Sequence, residues 1–279
     1  MRNDAEVQQA VKAQFLGIVP ERAGDLERLW SECDLQFNLL EDEGEVVMEG
    51  GAYRFVRFNH RALRVIWVSS FAAWEAFKCS ADAANQGTTR NHDKLKILLE
   101  LALTIRNAPN PEEVPLLGLP EPGVFPDAES EPELRAASEL AVFASGWAML
   151  HEVHHVMHQR EGTAYTYDSP PEDKWAEELS CDSFATLFVL ENAADYAQMT
   201  GQDSALVLRK RSMGIYFAMF ALTILAHDQW SDSPTHPAVQ KRMNATRNHV
   251  SGDAIDDALS IAALAFSSLE DVWPSVPKY

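Results

Sequence analysis

The sequence predicts a mainly α protein of the α+β class, with a small β-hairpin or sheet in its N-terminal region and a helical C-terminal region. Three observations carry that reading. Apolar residues recur at three- and four-residue spacing through most of the chain, most regularly beyond Glu133. Strand-like runs, VVM and YRFVRF, flank Glu49-Gly50-Gly51-Ala52 between Glu45 and Phe58. Between the two regions, residues 107–133 hold seven of the fourteen prolines and seven acidic residues, with no Lys or Arg. Proline at that density forbids regular helix, and uncompensated negative charge keeps a segment solvated.

In chain order, helical periodicity covers 4–16 and 21–33, and a β-hairpin follows within 45–58. Asn59 has the side chain to cap a helix running to about residue 79. Trp67, Phe71, Trp74 and Phe77 fall at helical spacing on it and read as core side chains rather than a substrate platform. A further helix covers 92–106. Beyond the proline-rich stretch, helices are expected over 133–160, 171–193, 204–227, 237–250 and 254–269. The organisation is therefore an N-terminal helical region with the hairpin (1–106), a proline-rich acidic linker or lid (107–133), and a helical region that carries the chemistry (134–279).

Of the 279 residues 46% are hydrophobic and 23% charged, which supplies a sizeable core and excludes wholesale disorder. The formal net charge of −19 repels phosphate backbones and anionic headgroups, so neither nucleic acid nor a membrane surface is an expected partner. Cys33, Cys79 and Cys181 are odd in number and widely spaced, giving no disulfide framework and fitting a reducing compartment. The N-terminus, MRNDAEVQQAVKAQ, lacks the apolar core of a secretion signal. The longest uncharged stretch, Ser212 to Ala226, would rise about 22 Å as a helix, short of a hydrocarbon core of about 30 Å. It reads as a buried core helix, and the protein as cytoplasmic.

The chemistry lies in three places. Residues 150–155 read Leu-His-Glu-Val-His-His, so His151, Glu152 and His155 satisfy H-E-x-x-H inside a long helix. Residues four apart lie one turn apart on one face, so two imidazoles converge as zinc ligands while Glu152 can act as general base on a water. Next, Glu177-Glu178-Leu179-Ser180-Cys181-Asp182 lies on the following helix. A catalytic zinc takes three protein ligands and leaves one position open, and Glu178 supplies the third. Asp182, one turn further among apolar residues, stands behind the ligands, whereas Glu172, Asp173 and Glu177 read as acids favoured by a helix start. Third, in Thr235-His236-Pro237, Pro237 suits the first position of a helix and puts His236 at its mouth, with Arg242 under two turns on. Without the other two motifs, this would read as a capped surface helix. An acid and a base in otherwise apolar stretches, Asp182 and Arg242, are expected to form a buried pair. His154 and His158 read as neighbours of the site or as surface side chains.

HExxH, then ExxxD on a small-residue helix, then His-Pro followed five residues on by Arg, resembles the gluzincin peptidases of the HtpX and CAAX-prenyl protease type over 146–185 and 233–242. That resemblance implies a zincin-like helical catalytic region, with one zinc held by His151, His155 and Glu178 and with Glu152 as base. It further implies that His236 stabilises the transition state and that Asp182, gripped by Arg242, supports the ligands. Those families are embedded in membranes, and this chain lacks their spanning helices. In length, solubility and motif placement it is similar to the Lit-type phage-exclusion peptidases. This second likeness implies cleavage of elongation factor Tu, with an activating phage peptide. Two other functions compete. A non-catalytic regulator braced by zinc would have no use for Glu152. A di-iron helical carboxylate protein would use Glu152 and His155 as ExxH but needs a second ExxH, which the chain lacks.

Overall fold

The computed structural model describes residues 3–250 and 253–278. Helices α1 (Asp4–Gly17) and α2 (Ala23–Glu32) lead into three strands, β1 (Gln36–Leu39), β2 (Met48–Gly51) and β3 (Phe55–Phe58). The helices that follow are α3 (His60–Gln86), α4 (Asp93–Asn107), α5 (Pro132–Glu161), α6 (Pro171–Leu190), α7 (Ala193–Thr200), α8 (Ser204–Leu225), α9 (Val239–His249) and α10 (Asp253–Val272). The class is that expected from the sequence, mainly helical with one small sheet.

Asn59 is the joint between sheet and helix. Its side-chain oxygen accepts from Ala62 N at 3.0 Å, capping α3, and from Val47 N at 3.2 Å. Its amide donates to Glu45 O at 2.7 Å. One fully buried side chain thus satisfies the orphan donor of a helix and ties down the lead-in to β2. The sheet order is β1-β3-β2, with β2 antiparallel to β3 as the expected hairpin and β1 parallel to β3. Strand β1 was not expected, because a short parallel strand has no turn signal joining it to its partner. Strand β2 is left as an edge, and it packs along α5.

Helix ends differ from expectation where tertiary contacts decide them. Helix α3 continues past Cys79 to Gln86 and stops at Gly87 in the left-handed region, φ 62°. Helix α6 stops at Leu190, short of 193, because Asn192 takes φ 60° and starts a separate α7. Pro237 does not occupy the first position of α9, which begins at Val239. Asp232 accepts from Ala238 N at 2.7 Å and Trp230 O accepts from Val239 N at 3.0 Å, so loop contacts hold the residues before the helix.

Helices α3, α5 and α8 form the centre, flanked by α4, α6 and α10. Val65, Ile66, Trp67 and Phe71 of α3 meet Ala144, Trp147 and Leu150 of α5 and Ile215, Phe217 and Phe220 of α8 in one buried cluster. Side chains from both sides of the proline-rich segment contribute to it. Trp67 and Phe71 are buried, and Trp74 and Phe77 pack against the same core. The uncharged stretch of α8 is buried as expected, and no helix among the described residues is long and apolar enough to cross a membrane. The proline-rich segment runs irregularly over α3, held by Arg64 to Val114 O at 2.6 Å and by Trp67 Nε1 to Pro120 O at 2.8 Å.

Asn59→Ala removes the cap and leaves the part-buried Val47 N and Glu45 O without their side-chain partner, so stability should fall by about 1–3 kcal/mol in urea unfolding. A loss under about 0.5 kcal/mol would show that the joint is not held by this side chain.

Candidate active site

Helix α5 places His151, Glu152 and His155 in a buried face covered by β2 and α6. The imidazoles face each other, His151 Nε2 and His155 Nε2 being 3.2 Å apart. Glu178 comes up from α6 and spans both, with Oε2 3.4 Å from His151 Nε2 and Oε1 3.3 Å from His155 Nε2. Glu178 Oε2 is buried without a hydrogen-bond partner.

The far side of each ring is held by a second carboxylate. Asp182 Oδ1 lies 2.9 Å from His151 Nδ1, and Glu177 Oε1 lies 2.7 Å from His155 Nδ1. A carboxylate only accepts, so each Nδ1 carries a proton, and in the neutral ring each Nε2 turns its lone pair inward. With both rings neutral, two lone pairs and a carboxylate converge with no donor among them. Four donors tetrahedrally placed around zinc at about 2.0–2.1 Å are separated by about 3.3–3.5 Å, which matches the spacing of these three groups. The donor set fits that ion.

The carboxylates around the rings also favour proton uptake by both imidazoles. Burial opposes charge on His151, yet the bond to Asp182 and the nearby Glu178 carboxylate raise its pKa. Burial alone would also raise the Glu178 carboxyl, but His151, His155 and Arg242 hold it well below the ordinary range. Burial raises the pKa of Glu152, partly offset by the neighbouring imidazoles. Glu152 stands beside the ligands without joining them, and Gly50 N donates to its Oε2 at 2.7 Å.

That bond requires glycine. A Cβ on Gly50 would sit 2.0 Å from the Glu152 carbonyl oxygen and 3.1 Å from His155 Cβ, so β2 reaches α5 only because residue 50 has no side chain. The bond also shows that Gly50 turns its N–H away from β3, which leaves the outer edge of β2 facing the site.

Helix α9 brings the third motif. Arg242 grips Asp182 with two bonds, Nε to Oδ2 at 2.8 Å and Nη2 to Oδ1 at 2.7 Å, with Asp182 fully buried and Arg242 nearly so. Arg242 Nη1 also lies 3.5 Å from Glu178 Oε2. His236 sits at the exposed rim with Nε2 3.5 Å from Glu178 Oε1. Its Nδ1 is 2.8 Å from the Thr235 hydroxyl, and when that hydroxyl donates, Nε2 carries the proton that points into the site. All seven residues singled out from the sequence, His151, Glu152, His155, Glu178, Asp182, His236 and Arg242, thus meet in one place.

Three contributors escape a reading of the sequence. Glu177 is not an exposed acid of a helix start. It is buried, orients His155 and accepts from Tyr165 N at 2.7 Å. No local signal marks it, since its partners lie on another helix and a loop. Gly50 reads as part of a turn, and only the close approach of α5 shows its need. Cys181 is fully buried beside the imidazoles, offering sulfur within 4.8 Å of ligand atoms of His151 and His155, so these three could also hold a metal. The histidines left open, His154 and His158, pack together beside Phe184 and Cys181.

A family model described as Peptidase U49 matches residues 56–264. No curated protein and no solved structure matches the chain.

A buried ion pair broken on one side leaves an unpaired charge. Asp182→Asn and Arg242→Met should each destabilise by about 3–5 kcal/mol, and the double variant by less than their sum. Strictly additive losses in a thermal or urea double-mutant cycle would mean that the pair does not couple.

Proposed function

Because the chain belongs to the peptidase U49 family, we propose that this peptidase is a cytoplasmic zinc-dependent endopeptidase, with His151, His155 and Glu178 as the zinc ligands. The observation that carries the reading is the convergence of two imidazole nitrogens and a carboxylate at 3.2–3.4 Å, with each imidazole held from behind by a further carboxylate. Zinc bound there would supply the Lewis acidity that makes water nucleophilic near neutral pH and polarises the scissile carbonyl.

The chain's own residues do the rest. Glu152 takes the proton of the attacking water and passes it to the leaving amine, and a carboxyl whose pKa is raised by burial suits both halves of that transfer. Gly50 N–H fixes the orientation of its carboxylate. His236 Nε2–H donates to the oxyanion as charge develops there. Glu177 and Asp182 keep the imidazoles in the binding tautomer, and Arg242 keeps Asp182 ionised. The outward edge of β2 offers backbone groups to an extended substrate, which would add to it as a further strand. The likeness to Lit-type peptidases supports elongation factor Tu as substrate, an activating phage peptide as partner and phage exclusion as the setting.

The purified protein should hold one tightly bound zinc per chain. Glu152→Gln should keep it while hydrolysis falls about 10²–10⁴-fold. Substrate and variant can be tested together, by comparing protein termini in cells expressing wild type or Glu152→Gln. A discrete new terminus with wild type alone is expected, and equal cleavage by both would remove Glu152 as general base and the peptidase mechanism with it.

In chelator competition, Glu178→Ala should release zinc most readily. Glu177→Ala should weaken it by about 10–100-fold, the usual cost of losing a group that orients a ligand. The reverse order would exchange the roles of the two glutamates.

A further inference from the structure

The histidine spacing on α5 contains the same device twice. His151 and His155 are four residues apart, and so are His154 and His158, three residues further on. On α6 the facing residues repeat the shift, from Glu178 to Cys181. Moving each member of the first donor set three residues along its helix gives His154, His158 and Cys181. We propose that these three form a second metal site for a thiophilic divalent cation of the zinc class, distinct from the first. The proposal rests on the reading of Glu178 as third ligand of the first site, which leaves Cys181 free to serve the second.

The geometry supports it. His154, His158 and Cys181 each offer a ligand atom within 4.8 Å of the others. The two rings are 4.5 Å apart between centroids, comparable with the 4.9 Å of His151 and His155. His154 is fixed by stacking on Phe184 at 4.4 Å, and its Nδ1 is buried without any hydrogen-bond partner. His158 Nδ1 is 2.8 Å from the Thr163 hydroxyl, which orients the ring, while its Nε2 has only a long 3.3 Å contact to Ser180 Oγ. The Cys181 side chain is fully buried between the two histidine pairs. Two imidazoles and a thiolate select zinc, cobalt or cadmium over magnesium or calcium.

Binding would replace the thiol proton of Cys181, which leaves to solvent as the sulfur becomes a thiolate ligand. Nitrogen and sulfur ligands of tetrahedral zinc lie about 3.6 Å apart, inside the 4.8 Å bound on this set. Among the described residues, His154 and His158 are less buried than the first pair and have no carboxylate behind them as His151 and His155 do. The second site is therefore the weaker, filled by added metal after the first.

The test is a cobalt titration of the metal-free, full-length protein, followed by absorption. Wild type should take up two equivalents, the first without and the second with thiolate-to-cobalt charge-transfer absorption. Cys181→Ser, His154→Phe (which keeps the stack on Phe184) and His158→Gln should each lose the second equivalent and keep the first, with metal-free thermal midpoints near wild type. Uptake of a single equivalent without thiolate absorption would overturn the second site and leave the first standing. Thiolate absorption arising with the first equivalent, and surviving in His154→Phe and His158→Gln, would overturn it as well, and would make Cys181 rather than Glu178 the third ligand of the first site. A thiolate-bearing equivalent that needs His154 and His158, with no other cobalt bound, would support the second site and sink the zinc reading of the first.

Discussion

Ionisable groups buried between α5 and α6 can exist only if each is answered by another, and the arrangement of the molecule around the site follows from that requirement. Glu177, Glu178 and Asp182 enter a dry seam, where an isolated carboxylate would cost several kcal/mol or take up a proton. Imidazoles from α5 answer all three. Asp182 needs more than one imidazole, so Arg242 draws α9 against the seam. Glu177 has an oxygen left over, and the backbone of Tyr165 meets it, which fastens the loop between α5 and α6. Glu152 is met by Gly50, and that fastens the sheet.

The same logic holds away from the seam, with arginine as the answer. Arg211 of α8 is buried and makes two bonds to Glu21, at 2.6 and 2.8 Å. Arg61 of α3, fully buried, reaches Asp42 at 3.2 Å and the carbonyl of Arg106 at 2.6 Å. A planar guanidinium with several fixed donors can satisfy a carboxylate and a helix end at once, which a lysine could not do. In a chain with a net charge of −19, part of the scarce positive charge is thus placed inside, where it joins elements distant in sequence.

What could be read in the sequence followed a rule of range. Side chains on one helix stand at fixed angles, so the relation of His151 to His155, and of Glu178 to Asp182, follows from numbering alone. Pairing of Asp182 with Arg242 was reachable because each is a charge out of place among apolar neighbours. Glu177 escapes for the opposite reason. An acid near a helix start already has a sufficient local explanation, and nothing nearby hints at His155. Gly50 looks like a turn glycine because its reason lies across the fold. Strand β1 and the break at Asn192 are hidden likewise, one depending on a parallel partner and the other on a single left-handed residue.

The buried pairings also set how small a working piece of this protein can be. Glu21, Asp42 and Gly50 all precede residue 56, where the family resemblance begins. A fragment trimmed to 56–264 would retain every side chain proposed for the chemistry. It would also enclose Arg211 and Arg61 without their carboxylates, and Glu152 without the amide that aims it. The portion that can be recognised is narrower than the portion that can hold its shape, and expression boundaries belong outside α1 rather than at the edge of the match.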